Sequence, residues 1–213
     1  MVFANRKQAA DKLAVALAAY KGRNPLILAI PRGAVPMGQR LAEALGGELD
    51  VVLVRKLRAP FNPEFALGSI DESGWSYIAD YAESAGGTPA YLEQEKKAQL
   101  ATISQRRAQY TPLRPPIDPA GRIVIVVDDG LATGATMISA LHALRARKPA
   151  RLICAVPVAP ADTLEKIRGY ADEVVCLSTP AFFQAVGQFY ADFPQVDDSE
   201  VVEILKQAGQ GQG

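Results

Sequence analysis

Five short apolar runs separated by helical patterns constrain the fold more than any other feature of this chain. The runs are PLILAI, LDVVLVRK, GRIVIVVDD, ARLICAVPV and DEVVCLS. They lack regular polar alternation, which is typical of strands buried on both faces of a parallel sheet. Amphipathic segments such as VPMGQRLAEALGG separate them. The alternation predicts an α/β fold with a doubly wound parallel sheet, in which ligands bind beyond the carboxyl ends of the strands.

The alternation is interrupted between residues 57 and 120. A Pro-rich turn, APFNPEF, precedes a segment, ALGSIDESGWSYIA, that predicts a small antiparallel hairpin. A long polar helix follows, with Thr88 as its N-cap and Pro89 at its first position. We interpret residues 57–120 as an inserted flap or hood within a single domain of residues 1–213. The terminal GQGQG predicts a disordered tail over 208–213.

Charge and cysteine content narrow the classes of protein to be considered. Lys plus Arg and Asp plus Glu number 23 each, so the net charge is zero. This balance argues against general binding to nucleic acid or to a membrane surface, which requires a basic excess. The two cysteines lie inside apolar runs and are interpreted as buried small side chains in a reducing compartment. With no apolar run of membrane-spanning length and no signal pattern, we expect a cytoplasmic protein.

The stretch VIVVDDGLATGAT places two adjacent carboxylates, Asp128 and Asp129, at the end of an apolar strand. Successive side chains on a strand point to opposite faces, so we expect the two carboxylates to diverge. They cannot both be buried unpaired without a large desolvation cost. They are therefore either solvated or matched with cations or hydroxyls, and a ribose diol with Mg²⁺ would satisfy both.

The loop after the acids consists almost entirely of small residues. Ala132, Gly134 and Ala135 leave room for a ligand to reach the backbone, and Gly134 can adopt a positive φ. Free N–H groups at the start of the following helix, with the hydroxyls of Thr133 and Thr136, predict an anion site sized for one phosphate. Acids for sugar hydroxyls beside amides for a phosphate indicate a site for a 5-phosphorylated ribose.

Paired acids have two other interpretations. Adjacent acids can cap a helix, as in DDSEVVE, where Asp197 and Glu200 have capping-box spacing. That second pair is interpreted as structural, because no apolar strand precedes it. A nucleotide hydrolase also places an acid after an apolar strand, but it needs a GxxxxGK[ST] loop that this sequence lacks.

These residues resemble a known family. VIVVDDGLATGAT is similar to the phosphoribosyl-pyrophosphate (PRPP) signature of the type I phosphoribosyltransferases. In LAIPRGAVP, Arg32 and Gly33 match the family's early pyrophosphate loop, while Ala34 replaces its second glycine. VLVRK resembles the strand ending of adenine- and orotate-type members. RKLRAPFNPEFALGSI and FFQAVGQFYADFPQVDDSEV resemble predicted phosphoribosyltransferases of unassigned substrate, and this likeness covers nearly the whole chain.

The resemblance implies Mg²⁺-dependent transfer of the 5-phosphoribosyl group from PRPP to a nitrogenous small-molecule acceptor, with release of pyrophosphate. Asp128 and Asp129 would hold the ribose hydroxyls, directly or through Mg²⁺-bound water, and would be the catalytic and metal residues. The backbone of residues 132–136 would hold the 5-phosphate. Arg32, Gly33, Arg55 and Lys56 would bind pyrophosphate. The resemblance also implies a homodimer.

The acceptor is less well defined by the sequence. Ala132 occupies the position where hypoxanthine- and guanine-using relatives carry an Asp, so the resemblance disfavours 6-oxopurines. Phe182, Phe183 and Tyr190 are candidates to stack a flat ring, but they are equally compatible with a small core of the hood. Glu64 in the turn NPEF is interpreted as a turn residue rather than a replacement acid.

The sequence leaves two other functions open and predicts no chemical role for three further side chains. A non-catalytic PRPP or nucleotide sensor on the same fold is one alternative, and a hydrolase or phosphorylase of a ribosyl phosphate is another. Arg106 and Arg107 lie on the long polar helix and are expected to face solvent. His142, off the apolar face of its helix, is expected to have no chemical role.

Overall fold

The computed structural model describes residues 1–110, 112 and 116–210, which form two sheets and six α-helices within those ranges. The strands are β1 (Leu26–Ala29), β2 (Glu48–Val51), β3 (Val54–Ala59), β4 (Asn62–Asp71), β5 (Ser76–Ile78), β6 (Ile123–Val127), β7 (Arg151–Val158) and β8 (Glu173–Ser178). The helices are α1 (Arg6–Ala16), α2 (Val35–Leu45), α3 (Pro89–Tyr110), α4 (Ala135–Ala146), α5 (Ala161–Ile167) and α6 (Asp198–Gln210). No helix in the described part of the chain is long and apolar enough to cross a membrane.

The larger sheet is parallel and has helices on both faces. Its order is β2-β1-β6-β7-β8, and neighbours pair in register, for example Leu26 with Val124. Alternate strand residues bury into two separate cores, because side chains on a strand alternate between faces. Ile27 and Ile125 join α1, α2 and α6 on one face, whereas Leu26 and Val124 join α4 and α5 on the other. The doubly wound parallel sheet predicted from the sequence is confirmed.

A small antiparallel sheet, β3-β4-β5, and the long helix α3 form the hood. The N–H of Tyr91 donates to Thr88 Oγ1 at 3.3 Å, so Thr88 caps α3 as expected. The sheet also packs against α4, where Ser69 Oγ lies 2.6 Å from the carbonyl oxygen of Ala135 and from Ser139 Oγ. This contact fixes the hood next to the start of α4.

Two boundaries differ from the sequence-based expectations. The predicted second core strand extends through Lys56, whereas β2 ends at Val51 and β3 begins the small sheet at Val54. The sequence does not reveal this break. Val52 and Leu53, which connect the two sheets, are themselves buried and apolar, so the apolar run continues across the break. At the other end, buried Ile204 and Leu205 hold α6 against the core, and this helix continues through Gln210, so it includes the first three residues of the predicted tail. Residues 211–213 lie outside the described ranges.

Candidate active site

The two adjacent acids lie immediately after β6, in the centre of the parallel sheet. The N–H of Asp129 donates to Asp128 Oδ1 at 2.9 Å. Regular strand geometry ends at Val127, so strand alternation does not fix the directions of the two carboxylates, and their divergence stays a prediction. Burial raises the pKa of Asp128 well above its ordinary value, and the negative charge of Asp129 raises it further. The pair therefore holds a proton more tightly than isolated aspartates do.

Arg6, from the first turn of α1, binds the second acid. Its Nε and Nη2 lie 3.1 and 2.9 Å from Asp129 Oδ2, and its Nη1 donates to the carbonyl oxygen of Pro194 at 2.6 Å. The guanidinium lies 3.9 Å from the centroid of the Phe193 ring. Burial raises the pKa of Asp129, while Arg6 acts in the opposite direction. The sequence analysis did not identify Arg6. A cation in the first turn of a helix is unfavourable with respect to the helix dipole, so its presence there is a signal of an acidic tertiary partner.

Tyr190 binds the backbone of the acid pair. Its hydroxyl donates to the backbone carbonyl oxygen of Asp129 at 2.7 Å, and its ring contacts Phe3 and Phe193. Only 6% of Tyr190 is exposed. The structure thus contradicts an open stacking role for Tyr190, because its ring is buried in the core under Asp129.

The small loop has the backbone geometry expected from its sequence. Gly134 precedes α4 with φ of +79°, in the left-handed region, as predicted. A Cβ at Gly134 would lie 2.8 Å from Thr163 Cγ2, so the position is closed to larger residues. Glycine has no side chain to cap the first amides of α4, and Thr133 Oγ1 accepts from the N–H of Ala135 only at 3.4 Å. Residues 132–136, including Thr136 in the first turn of α4, thus surround an open helix start.

Arginines converge on one side of the acid pair. Arg32 from the loop after β1, Arg55 from β3 and Arg106 from α3 share a cavity of about 630 Å³ with Asp129 and Arg6. Burial lowers the pKa of Arg55, and the positive charges of Arg106 and Arg32 lower it further. A group of mutually repelling cations around one carboxylate is suited to a polyvalent anion.

The members of this arginine cavity differ from the expected set. Arg106, expected in solvent, lines it, because α3 packs along β3 and turns this residue towards the sheet. Arg107 instead pairs with Glu72, its Nη2 lying 2.6 Å from Glu72 Oε2, so it is not a free surface cation either. Lys56 alternates with Arg55 along β3, is exposed, and is not among the residues that line this cavity. The structure brings Arg55 to the site and leaves Lys56 outside it.

Gly33 allows the loop after β1 to approach the acids. A Cβ on Gly33 would overlap Oδ2 of Asp129 and lie 3.1 Å from Nη2 of Arg6. The loop that carries Arg32 and Gly33, predicted to bind pyrophosphate, therefore lies in contact with Asp129, and this contact requires glycine at position 33.

A second cavity, of about 660 Å³, lies beside the small loop, and Ala132, Thr133 and Ala135 line it. Further lining residues come from the hood, from α5 and from the chain after β8, and they include Tyr77, Tyr81, Asp162, Lys166 and Phe183. Phe183 lines this cavity and packs against Phe189 with a distance of 5.2 Å between ring centroids. Phe182 is 88% exposed and lines neither this cavity nor the arginine cavity. Of the three aromatic residues proposed for an acceptor, only Phe183 reaches the cavity.

The acids offer oxygen ligands that suit Mg²⁺, which in proteins keeps water and substrate phosphates among its ligands. Among the described residues, no group of three His, Cys, Asp or Glu side chains could hold a metal by itself. A metal at Asp128 and Asp129 would therefore require oxygens from a ligand or from water. This donor set fits a metal that arrives with a phosphorylated substrate.

Several structural interpretations of other residues are supported. His142 stacks on Trp75 with centroids 3.6 Å apart, away from the acid pair. Both cysteines are free thiols; Cys154 is buried, as expected, and burial raises its pKa, whereas Cys176 is only half-buried. The N–H of Glu200 donates to Asp197 Oδ1 at 2.8 Å, so Asp197 caps α6. These residues stabilise the fold and leave the acids, the small loop and the arginines as the chemical centre.

Comparison with known proteins agrees with this geometry. The family model "Phosphoribosyl transferase domain" matches residues 2–194. Two proteins of Mycobacterium tuberculosis, "Putative phosphoribosyl transferase MT0597" of strain CDC 1551 / Oshkosh and "Putative phosphoribosyl transferase Rv0571c" of strain ATCC 25618 / H37Rv, are each 41% identical over 97% of this chain. The chain spans only 47% of their length. The crystal structure of TT1426 from Thermus thermophilus superposes with a TM-score of 0.81 at 44% identity, covering 97% of this chain and 99% of that one. By the extent of the family match and the identity to these relatives, the chain belongs to the phosphoribosyl transferase domain family.

Proposed function

We propose that this domain transfers the 5-phosphoribosyl group of PRPP to a nitrogenous, nucleobase-like acceptor and releases pyrophosphate in a Mg²⁺-dependent reaction. The observation that carries the proposal is the position of Asp129, which ends the acid motif and also lines the arginine cavity. One ligand that places hydroxyls on the acids and a polyvalent anion on the arginines satisfies both features. PRPP has these groups on adjacent atoms.

The acids would bind the ribose. Asp128 and Asp129 would accept hydrogen bonds from its hydroxyls, which would offset the repulsion between the two neighbouring acids. Positive charge develops on the sugar as pyrophosphate leaves, and fixed carboxylates nearby stabilise that charge. Proximity and charge are the main tasks of the protein in such a displacement.

The phosphate groups would occupy opposite sides of the acids. The backbone of residues 132–136, with the hydroxyls of Thr133 and Thr136, would hold the 5-phosphate at the start of α4. Arg32, the backbone at Gly33 and Arg55 would bind pyrophosphate, and Arg6 and Arg106 extend that group. Lys56 remains a proposed ligand that would have to reach the pyrophosphate from the exposed side of β3.

Mg²⁺ would be held by Asp128 and Asp129, directly or through water, together with oxygens of the substrate. When bound, it neutralises negative charge on the departing pyrophosphate. The arginines supply the same kind of stabilisation from the protein side, and Arg6 keeps Asp129 oriented towards the cavity.

The acceptor would enter the second cavity, where Phe183 offers a ring face. Because Ala132 cannot handle a proton of the acceptor, 6-oxopurines are disfavoured. A cytoplasmic location, expected from the sequence pattern, and a homodimer, implied by the family resemblance, belong to the same proposal. The relatives are about twice as long as the matched region, so these statements concern the domain and extend to a whole protein only as proposals.

Pyrophosphate release from PRPP tests the proposal. We would measure it with Mg²⁺ across purine and pyrimidine bases, including 6-oxopurines, with a control that contains no base. Release that requires one base would establish the transferase and identify its acceptor. Release without a base would indicate a hydrolase, and PRPP binding without release would favour a sensor. Failure to bind PRPP at all would overturn the proposal.

A further inference from the structure

The cavity beside the small loop contains a single basic side chain among the described residues that line it, Lys166. Lys166 lies in the last turn of α5 and is exposed. It forms no ion pair within the part of the chain that the structure describes. Asp162, one turn earlier, lines the same cavity, and its Oδ1 accepts from the N–H of Thr163 at 2.9 Å. The Lys166 ammonium group is therefore available to an anionic ligand.

The helix that carries Lys166 is attached directly to the small loop. Thr163 Oγ1 donates to the carbonyl oxygen of Ala132 at 2.7 Å. The position of a Cβ on Gly134 lies 2.8 Å from Thr163 Cγ2 and 3.4 Å from Ile167 Cδ1. Lys166 follows Thr163 by three residues and precedes Ile167, so it lies on a neighbouring part of the same helix surface. These contacts fix the base of the Lys166 side chain at the edge of the loop.

We propose that Lys166 binds the 5-phosphate of PRPP and supplies the positive charge that the loop itself lacks. The inference rests on the proposed function, because it assigns the loop to that phosphate. The arginines of the other cavity converge on Asp129, and none of them lines the cavity beside the loop. The backbone amides of the loop carry only partial charges, whereas a phosphate monoester near neutral pH carries close to two negative charges.

A purely structural role makes a different prediction. A lysine in the last turn of a helix interacts favourably with the helix dipole, so its removal would lower stability slightly without changing ligand affinity. If Lys166 instead bound an acidic acceptor, its removal would lower turnover with that acceptor and leave the affinity for ribose 5-phosphate unchanged. Affinity for a ligand that contains only the phosphorylated sugar separates these roles.

The test uses calorimetric titration of the Lys166→Met variant with ribose 5-phosphate, PRPP and pyrophosphate. Methionine keeps an apolar stem of similar length and removes the charge. We expect affinity for ribose 5-phosphate and PRPP to fall roughly tenfold, as for loss of a hydrogen bond to a charged group, and affinity for pyrophosphate to change less than about twofold. Lys166→Arg should restore most of the affinity. Arg168→Met, which removes an exposed charge paired with Glu165 just after the same helix, is the matched control and should bind all three ligands normally.

Wild-type affinity of Lys166→Met for ribose 5-phosphate would overturn the inference while leaving the proposed function intact. An equal loss in Arg168→Met would also overturn it, because the effect would then come from general surface charge. Failure of the wild-type protein to bind either PRPP or ribose 5-phosphate would instead overturn the proposed function, and the inference with it. Thermal unfolding of each variant shows that affinity is compared between folded proteins.

Discussion

Gly33 and Asp129 are in such close contact that no side chain fits between them. A Cβ on Gly33 would overlap Oδ2 of Asp129, the same oxygen that Arg6 binds through Nε and Nη2. The loop after β1, the acid pair after β6 and the first turn of α1 thus meet at one carboxylate oxygen. The positions of these three segments depend on one another.

Gly33→Ala should displace Asp129 and separate it from Arg6. We expect PRPP affinity to fall by about 100-fold or more, because both the ribose ligand and the pyrophosphate loop would shift. Titration with PRPP measures this. Gly169→Ala is the control, since its nearest contact would be an ordinary 3.7 Å to the Lys166 carbonyl oxygen. Normal affinity in Gly33→Ala would show that the contact does not determine the site.

Asp128→Asn should stabilise the free protein and abolish PRPP binding. Asparagine keeps an acceptor for the N–H of Asp129, and it removes an ionisable group that is desolvated and lies beside a second acid. The folded-state pKa of Asp128 is raised, so its contribution to stability declines as pH rises above about 4, the ordinary pKa of Asp. At pH 7.5 we expect the variant to be more stable by about 1 kcal/mol, a Tm increase of about 3 °C.

The stabilisation by Asp128→Asn should shrink as pH falls towards 4, because Asp128 keeps its proton in the folded state and a growing fraction of it is protonated in the unfolded chain. Calorimetric Tm values between pH 4 and 8 follow this difference. A variant less stable than wild type at pH 7.5 would show that the ionised Asp128 carboxylate stabilises the folded protein.

Arg106→Gln should weaken pyrophosphate binding without changing the fold. Arg106 is half-buried at the arginine cavity and repels Arg55, so its loss removes an anion contact and relieves that repulsion. We expect affinity for pyrophosphate to fall about tenfold and its dependence on salt concentration to become shallower. Lys97→Gln, on an exposed position of the same helix, should bind as wild type does. Equal behaviour of the two variants would remove Arg106 from the site.

Phe183→Ala and Phe182→Ala form a matched pair for the acceptor. Phe183 lines the second cavity and Phe182 is solvent-exposed, although the two are adjacent in sequence. We expect Phe183→Ala to raise the acceptor KM by roughly tenfold, from the loss of stacking, with PRPP affinity unchanged. Phe182→Ala should have no effect. The reverse result in steady-state kinetics would place the acceptor on the outer face of this segment.

Much of the fold was predictable because it depends on local patterns. Apolar runs of four to eight residues indicate buried strands wherever they occur, and small residues after Asp129 indicate a backbone that must turn with Gly134 at positive φ. The same reliance on local pattern explains the misplaced boundary at Val54: the apolar run continues while the chain leaves one sheet for another. It also explains why alternation could not fix the direction of the acids, because β6 ends at Val127, two residues before the end of the predicted strand.

The sequence by itself determined the doubly wound sheet, the acids after β6 and the glycine-dependent loop before α4, since each is encoded by consecutive residues. Only the tertiary structure decided which distant side chains join them. Arg6 is 123 residues from Asp129 in sequence, Arg106 comes from the hood, and Tyr190 is buried under the acid pair. Their positions follow from the packing of α1, α3 and the C-terminal segment on the sheet. Packing is a property of surfaces brought together on folding, so no local pattern records it.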